Sequence, residues 1–240
     1  MIFEIGMPHL NYNGLDPVWL AKTITENHWN FLKPISSINE NNQRLYASVF
    51  AFEIDFGEGQ DFFKEFDDAE IRSKIYKFNN QIYRSTHTIT CTGNTANAIV
   101  DTIFVKKDLT SGTLVRDIPV KNNGNFEKTD NTFLTEHKEL KKLYSVINNN
   151  DEYNELSFSP EAYFNGVKIL YFANYLNLIY LNEYHTFNQI LDPIKKLKIF
   201  FFSNINTGDK VYGFSSRKNS TYETILKSDK GIMAYCTITR

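Results

Sequence analysis

Hydrophobic positions along the chain follow a helical period in some segments and a strand period in others. The first helix is predicted to start at Asp16, a favourable N-cap residue followed by Pro17, and to run to about residue 32 along an apolar stripe. Residues 45–56 are apolar on both faces, which is typical of a strand covered on both sides. Further strands of the first half are predicted at 2–5, 71–78, 81–90 and 97–106.

The second half of the chain repeats this order of elements. A short strand at 156–159 precedes a helix at about 167–187, which is apolar nearly all round and is therefore predicted to be buried on most sides. Between the halves, a short helix is predicted at 134–146. An antiparallel sheet would be completed by strands at 195–205, 210–215, 222–227 and 231–239.

A short motif also occurs twice, once before each long helix. In both copies an aromatic residue precedes Asn-Gly. The same number of positions separates the matched residues, which are Pro8 and Pro160, Asn13 and Asn165, and Gly14 and Gly166. A shared offset indicates a duplication. We predict an α+β double hot-dog fold, in which two long helices are each wrapped by a curved antiparallel sheet. Residues 1–125 would form the first hot-dog, 126–150 a linker and 151–240 the second hot-dog.

Composition narrows the functional classes. With 240 residues and 42% hydrophobic content, the chain can bury a substantial core, and its 20 Phe and 14 Tyr suit aromatic-lined pockets. A net charge of −2 argues against a nucleic-acid partner. The two cysteines, Cys91 and Cys236, are not spaced like metal ligands or a redox pair, which predicts a reduced protein. The first residues also lack a signal-peptide pattern, and together these features predict a cytoplasmic protein. The apolar run at 167–181 is too short and too polar to span a membrane.

Two blocks of the sequence resemble a known family. The first block comprises Gly6-Met7-Pro8-His9-Leu10, Asn13-Gly14-Leu15, Trp19-Leu20 and His28-Trp29, and the second comprises 164–167, 170–175 and 204–209. They are similar to the leinamycin-type acyltransferase/decarboxylases, which are double hot-dog proteins of polyketide biosynthesis. The resemblance implies an enzyme that takes a methylmalonyl thioester of coenzyme A, decarboxylates it and delivers the acyl group to an acyl carrier protein. It also implies that Tyr46 is the acyl acceptor.

Decarboxylation of a malonyl-type thioester forms an enolate, whose oxygen requires hydrogen-bond donors in a site with little water. Backbone N–H groups at the start of the first helix are candidates, because they lack helical partners and lie at the positive end of the dipole. This predicts a thioester-binding site at Asn13, Gly14 and Leu15, with Asn165 and Gly166 as the second-half equivalents. Alternatively, both glycines only make tight turns into the helices.

Tyr46, His9 and His87 are the candidate catalytic side chains. The Tyr46 phenol could accept an acyl group, protonate the enolate or only form a structural hydrogen bond. His9 precedes the first helix and His87 lies in a strand rich in hydroxyls, and each could orient a substrate oxygen or be a structural histidine. Helix-surface or packing positions are predicted for the remaining histidines, which are His28, His137 and His185.

Two alternatives to a decarboxylating acyltransferase remain open. One is a hot-dog thioesterase or dehydratase, which is disfavoured because Asn174, and not a carboxylate, lies in the middle of the second helix. The other is a non-catalytic scaffold that binds an acyl thioester or an acyl carrier protein. Basic clusters at 106–107, 195–198 and 217–218 could contact coenzyme A phosphates or an acidic carrier protein. No metal or cofactor is predicted beyond coenzyme A or phosphopantetheine as the substrate carrier, and the protein would be a monomer or homodimer.

Overall fold

The computed structural model of the protein describes residues 1–35, 37–108, 114–119, 126–130, 132–144, 153–166 and 168–240. Within these ranges, twelve strands form one continuous sheet, and a separate two-stranded hairpin lies near the N-terminus. Adjacent strands of the sheet are antiparallel, apart from one short parallel pairing at its periphery. The domain boundaries predicted at residues 125 and 150 lie outside the described residues.

Each predicted element overlaps an observed one. The strands are β1 (Ile2–Glu4), β2 (Leu10–Asn11), β3 (Gly14–Leu15), β4 (Leu45–Asp55), β5 (Asp68–Lys77), β6 (Ile82–Cys91), β7 (Asn94–Lys107), β8 (Leu114–Arg116), β9 (Glu127–Lys128), β10 (Asn154–Leu156), β11 (Lys196–Phe201), β12 (Val211–Lys218), β13 (Thr221–Ser228) and β14 (Gly231–Thr239). The helices are α1 (Pro17–Leu32), α2 (Thr132–Tyr144), α3 (Pro160–Tyr163) and α4 (Asn174–Phe187), with 3₁₀ turns at Met7–His9 and Gln60–Phe62.

The strand order is the same on both sides of the centre of the sheet. The central pair is β4 with β11. Outward from this pair, the first-half strands follow in the order β7, β6, β5 and β1, and the second-half strands in the order β14, β13, β12 and β10. Each half therefore contains, in chain order, a short strand, a helix, a central strand and a three-stranded meander. The short strands β8 and β9 are additions that pair with β7 and β5.

α1 starts where the sequence predicts. The Asp16 carboxylate accepts hydrogen bonds from the backbone N–H groups of Val18 (3.0 Å) and Trp19 (3.2 Å). These are N–H groups that the first helical turn leaves without helical partners. One face of α1 is buried and contacts β5 and β7 of the sheet, and the helix also contacts α4. The cap and the apolar stripe together explain the position and the orientation of the helix.

The second long helix is shorter than predicted. α4 starts at Asn174 and not near Val167, which itself lies outside the described residues. Lys168 has a φ of +61°, a left-handed conformation that interrupts a helix. The next two residues, Ile169 and Leu170, form β-bridges with other segments. The prediction was wrong here because a continuous apolar run does not distinguish a buried extended segment from a buried helix.

The sheet is covered on both faces. α1 and α4 pack on one face, where their apolar residues share a core with residues of both halves. α2 packs on the opposite face, where Phe133 joins a second cluster with Phe50 of β4 and Phe200 of β11. The apolar pattern of β4 is thus explained, because both of its faces are covered. None of the described helices is long and apolar enough to cross a lipid bilayer.

Candidate functional site

A cavity of ≈ 570 Å³ lies where β4 extends beyond the end of β11. In the described strand pairs, β11 pairs with β4 only from Ala51 to Asp55. The preceding part of β4 contributes Tyr46, Ala47 and Ser48 to the cavity wall. We call this space the Tyr46 cavity. It forms because the two central strands separate at this end of the sheet.

The second half of the chain supplies the opposite wall. Asn165 and Gly166 line the cavity from the turn after α3, and Asn204 lines it from the loop after β11. The Tyr175 hydroxyl fixes this loop, since it donates to the carbonyl of Ser203 (3.2 Å) and accepts from the N–H of Ile205 (3.2 Å). The structure therefore brings the predicted residue Tyr46 together with the predicted second-half residues at the Asn-Gly turn.

Aromatic side chains from three segments also line the cavity. Trp29 of α1 contacts Tyr171 and Phe172, with ring centroids 6.4 and 6.3 Å apart. Phe201 of β11 also packs edge-on against Phe172. Burial, with a smaller contribution from the negative charge of Glu26, raises the pKa of Tyr171 to about 12. Tyr171 is therefore a neutral phenol that can donate a hydrogen bond among these aromatic rings.

The charged groups at the cavity are cationic. Among the described residues that line it, Arg44 and Lys107 carry charge, and there is no Asp, Glu or His. The guanidinium carbon of Arg44 lies 5.2 Å from the centroid of the Tyr46 ring. Both cations are exposed at the outer end, whereas Tyr46 is half-buried. The cavity thus combines a cationic mouth, a hydroxyl-bearing wall and an aromatic interior.

The predicted thioester site at the start of α1 lies outside this cavity. Gly14 has a φ of +116°, and a Cβ atom there would overlap the backbone of Gln60, so the close approach is made by the protein's own chain. Leu15 is fully buried in the core. The Asn13 amide donates to the carbonyl of Leu191 (3.2 Å) and lines a separate cavity of ≈ 240 Å³. Since Asp16 already binds the free N–H groups of the first turn, this end of α1 offers few donors to a ligand.

The two predicted catalytic histidines also lie outside the Tyr46 cavity. His9 accepts a hydrogen bond at Nδ1 from the N–H of Gly6 (2.9 Å) and packs against Trp19. His87 is buried, and its two ring nitrogens are each 2.7 Å from a serine hydroxyl, those of Ser73 and Ser85. These contacts favour the structural alternative for both histidines.

Ser85 extends this network to His28, for which the sequence predicts a helix-surface or packing position. The Ser85 hydroxyl lies 2.7 Å from His28 Nδ1, and Thr102 Oγ1 lies 2.8 Å from His28 Nε2. His28 is fully buried between α1 and the sheet. The network is therefore a polar element of the core and does not contact the cavity described above.

Several cavity residues were missed by the sequence reasoning. Arg44 and Ser48 stand two positions before and after Tyr46. Because alternate residues of a strand point to the same face, this spacing is a signal that could have identified them. Trp29 and Asn204 have no such local signal, since their positions depend on how the two halves pack.

Neither a protein-family model nor a curated protein matches the chain. Solved structures match over nearly its whole length. The 12:0-ACP thioesterase from Umbellularia californica has a TM-score of 0.70 at 8% identity, covering 100% of this chain and 95% of that one. An acyl-ACP thioesterase from Bacteroides thetaiotaomicron has a TM-score of 0.67 at 10% identity, covering 100% and 96%. A conserved protein of unknown function with a hot-dog fold from Alicyclobacillus acidocaldarius has a TM-score of 0.52 at 10% identity, covering 99% and 90%. This chain therefore has a hot-dog fold with a large antiparallel sheet.

Proposed function

We propose that this protein is an enzyme that acts on an acyl thioester of coenzyme A or of an acyl carrier protein, with the acyl group bound in the Tyr46 cavity. The fold supports this substrate class, because the solved structures that share it include two acyl-ACP thioesterases. The observation that carries the proposal is the composition of the cavity, which Tyr46 from the first half lines together with Asn165 and Gly166 from the second.

The acyl group is proposed to be malonyl or methylmalonyl. A second carboxylate on the acyl group would lie beside Arg44 and Lys107, whose positive charges would stabilise it. The aromatic interior would limit the water around the reacting atoms, which favours loss of the carboxylate as CO₂. The cationic mouth therefore supports a dicarboxylic acyl group better than a simple fatty acyl group.

In the proposed reaction, the bond between the α-carbon and the carboxylate breaks, CO₂ leaves, and the bonding electrons form the thioester enolate. Ser48 and Asn204 line the cavity with groups that can donate hydrogen bonds to the enolate oxygen. The Tyr46 hydroxyl then supplies the proton to the α-carbon. Alternatively, water protonates the α-carbon and the Tyr46 oxygen attacks the thioester carbonyl, the C–S bond breaks, and coenzyme A leaves as the thiol with the phenol proton; the acyl ester on Tyr46 then passes to the thiol of a carrier protein and the phenol is regenerated. Both roles need the phenol oxygen within the cavity.

Hydrolysis of the thioester is the second candidate, and the thioesterases that share the fold favour it. Hydrolysis needs a base that activates water, commonly a carboxylate or a histidine. No such side chain occurs among the described residues that line the Tyr46 cavity. This composition supports decarboxylation and acyl transfer over hydrolysis.

Incubation with methylmalonyl-CoA followed by mass spectrometry tests the proposal. Formation of propionyl-CoA is the expected result. Formation of methylmalonic acid and free coenzyme A would instead identify a thioesterase. Unchanged substrate, both as the coenzyme A thioester and on a carrier protein, would contradict an enzymatic role and leave the non-catalytic scaffold.

A paired variant tests the acyl group. Arg44→Gln with Lys107→Gln should raise the KM for methylmalonyl-CoA by a larger factor than the Kd for propionyl-CoA, because only the methylmalonyl group has a free carboxylate. Lys74→Gln with Lys218→Gln is the matched control, since both lysines are exposed on strands outside the cavity. Equal effects on the two ligands would contradict the malonyl-type assignment.

The finer architecture belongs to the same proposal. We propose a double hot-dog that arose by duplication, with residues 1–125 and 151–240 as its halves and 126–150 as a linker that contains α2. The matching strand order around β4 and β11 supports it. The sequence motifs at the two Asn-Gly turns support membership of the leinamycin-type family. The backbones of the two glycines differ, however, because only Gly14 has a left-handed φ.

A further inference from the structure

Exposed cations surround the mouth of the Tyr46 cavity, although the chain as a whole has a net charge of −2. We call this group the basic face, and it consists of Arg44, Lys107, Arg116, Lys138 and Lys141, all of which are exposed. The first two also line the cavity. Two members of the basic face are therefore part of the cavity wall.

Strand register places three of these cations on the same side of the sheet as Tyr46. Arg116 of β8 lies opposite Val105 of β7, and Val105 lies opposite Tyr46 of β4. Opposed residues of antiparallel strands point to the same face of the sheet. Lys107 is two positions from Val105, and Arg44 is two positions from Tyr46, so both share that face.

α2 brings the other two cations to the same region. His137 of α2 faces the sheet and packs against Phe50, with ring centroids 5.6 Å apart. Burial lowers the pKa of His137, and the positive charges of Lys141, Arg116 and Lys138 lower it further. Charges that act on one imidazole must lie near it. Arg116 of β8 and the two lysines of α2 therefore lie in the neighbourhood of the same imidazole.

The nearby carboxylates neutralise only part of this surface. Glu136 of α2 forms an ion pair with Lys198, and Asp117 after β8 forms one with Lys106. Glu139 is exposed on α2 and offsets one charge. Among the described residues of this region, the five exposed cations stand against the exposed Glu139 and the half-buried Asp108, which follows Lys107 in the chain, and this leaves a positive excess.

We propose that the basic face is the docking surface for an acidic acyl carrier protein, whose phosphopantetheine arm enters the cavity between Arg44 and Lys107. The inference rests on the proposed function and specifies its partner surface. Complementary charge steers and orients such a partner, and the phosphate of the arm would bind the cations at the mouth. A thioester tethered to a protein can reach the cavity only when that protein docks beside its opening.

The test variant is R116E/K138E/K141E, which reverses three charges of the basic face and leaves both cavity-lining cations in place. The matched control is K22E/K74E/K218E, which reverses three exposed lysines on α1, β5 and β12. Both variants change the net charge equally.

Binding of a fluorescently labelled, acidic holo acyl carrier protein is measured by anisotropy. The value of kcat/KM is measured for a methylmalonyl group on the same carrier, on coenzyme A and on N-acetylcysteamine.

The test variant should bind the carrier protein at least about tenfold more weakly than the unsubstituted protein, while the control should bind it normally. The kcat/KM should fall for the carrier-bound substrate and stay unchanged for the N-acetylcysteamine thioester, which has neither phosphate nor protein. If the test variant does not fold, R116Q/K138Q/K141Q should show a smaller loss in the same direction.

Three results would overturn the docking surface: no carrier binding by the unsubstituted protein, equal losses in test and control variants, or an equal loss with the coenzyme A substrate. The last result would assign the cations to the nucleotide phosphates. If binding follows the expected pattern but no thioester is turned over, the proposed function is wrong and the docking surface stands.

Discussion

Gly14 packs directly against Gln60, and a Cβ atom on Gly14 would overlap the backbone carbonyl group of Gln60. The side chain of Gln60 extends this contact, because its amide nitrogen donates to Asn11 (3.1 Å) and its oxygen accepts from the N–H of Ile194 (3.1 Å). The β2–β3 hairpin is thereby attached to segments of both halves. The Asn-Gly turn of the first half thus has a structural role that its sequence does not reveal.

Gly14→Ala should lower the free energy of unfolding by about 2–4 kcal/mol, because it adds a left-handed backbone strain and a steric overlap. Gly166→Ala is the matched control. Gly166 is exposed and a Cβ there would meet no atom within 4 Å, so its change should stay within about 0.5 kcal/mol. Urea denaturation measures both. Equal losses in the two variants would contradict this difference between the turns.

The elements of the fold were largely predictable, because they depend on near neighbours in the sequence. Asp16 and Pro17 mark the start of α1, and the two-sided apolar pattern at 45–56 marks β4. The start of α4 was not predictable in the same way. The apolar run after Gly166 fits a helix equally well, and the tertiary bridges of Ile169 and Leu170 decide its extended conformation.

The site was predictable only in part. Tyr46, Asn165 and Gly166 were named from the sequence, but their common cavity depends on where β4 and β11 stop pairing. No periodic pattern carries that information. The structure places Gly14 outside the cavity that Tyr46 lines, because the backbone of Gln60 occupies the space beside Gly14.

Asp101→Asn should lower the free energy of unfolding by about 3–5 kcal/mol, because it removes the negative charge of a carboxylate that binds the buried Arg84 guanidinium through two hydrogen bonds. Arg84 Nε and Nη2 each lie 2.7 Å from an oxygen of Asp101, which is fully buried. Glu70→Gln is the matched control. It breaks the solvent-exposed ion pair with Arg72 and should leave the free energy of unfolding nearly unchanged. If both variants lost similar amounts of unfolding free energy, burial would not determine how much each ion pair contributes to stability.

The protein should lose stability as the pH falls from about 6.5 to about 4. Burial lowers the pKa of His87 to about 4, and burial together with the adjacent His87 lowers that of His28 to about 3. In the unfolded chain both titrate near pH 6.5. Between these values the unfolded state binds more protons than the folded state, so the free energy of unfolding decreases with decreasing pH. The two neutral histidines make their full contribution to the free energy of unfolding above pH 6.5.

Chemical denaturation at a series of pH values measures this effect. The variant H28Q/H87Q should show a flatter dependence between pH 4 and 6.5, whatever its overall stability, whereas H185Q, at an exposed position of α4, should keep the original slope. An unchanged slope in the double variant would show that other groups cause the acid sensitivity.

Tyr46→Phe should reduce turnover by about 10²–10⁴-fold, because it removes the hydroxyl that supplies a proton or accepts the acyl group. The ring stays, and Tyr46 is only half-buried beside Arg44, so the melting temperature should change little. Tyr212→Phe, at another half-buried strand position, is the matched control and should retain full activity. Loss of acyl transfer with retained formation of propionyl-CoA would identify Tyr46 as the acyl acceptor. Loss of both would identify it as the proton donor, and full activity in Tyr46→Phe would reduce it to a packing residue.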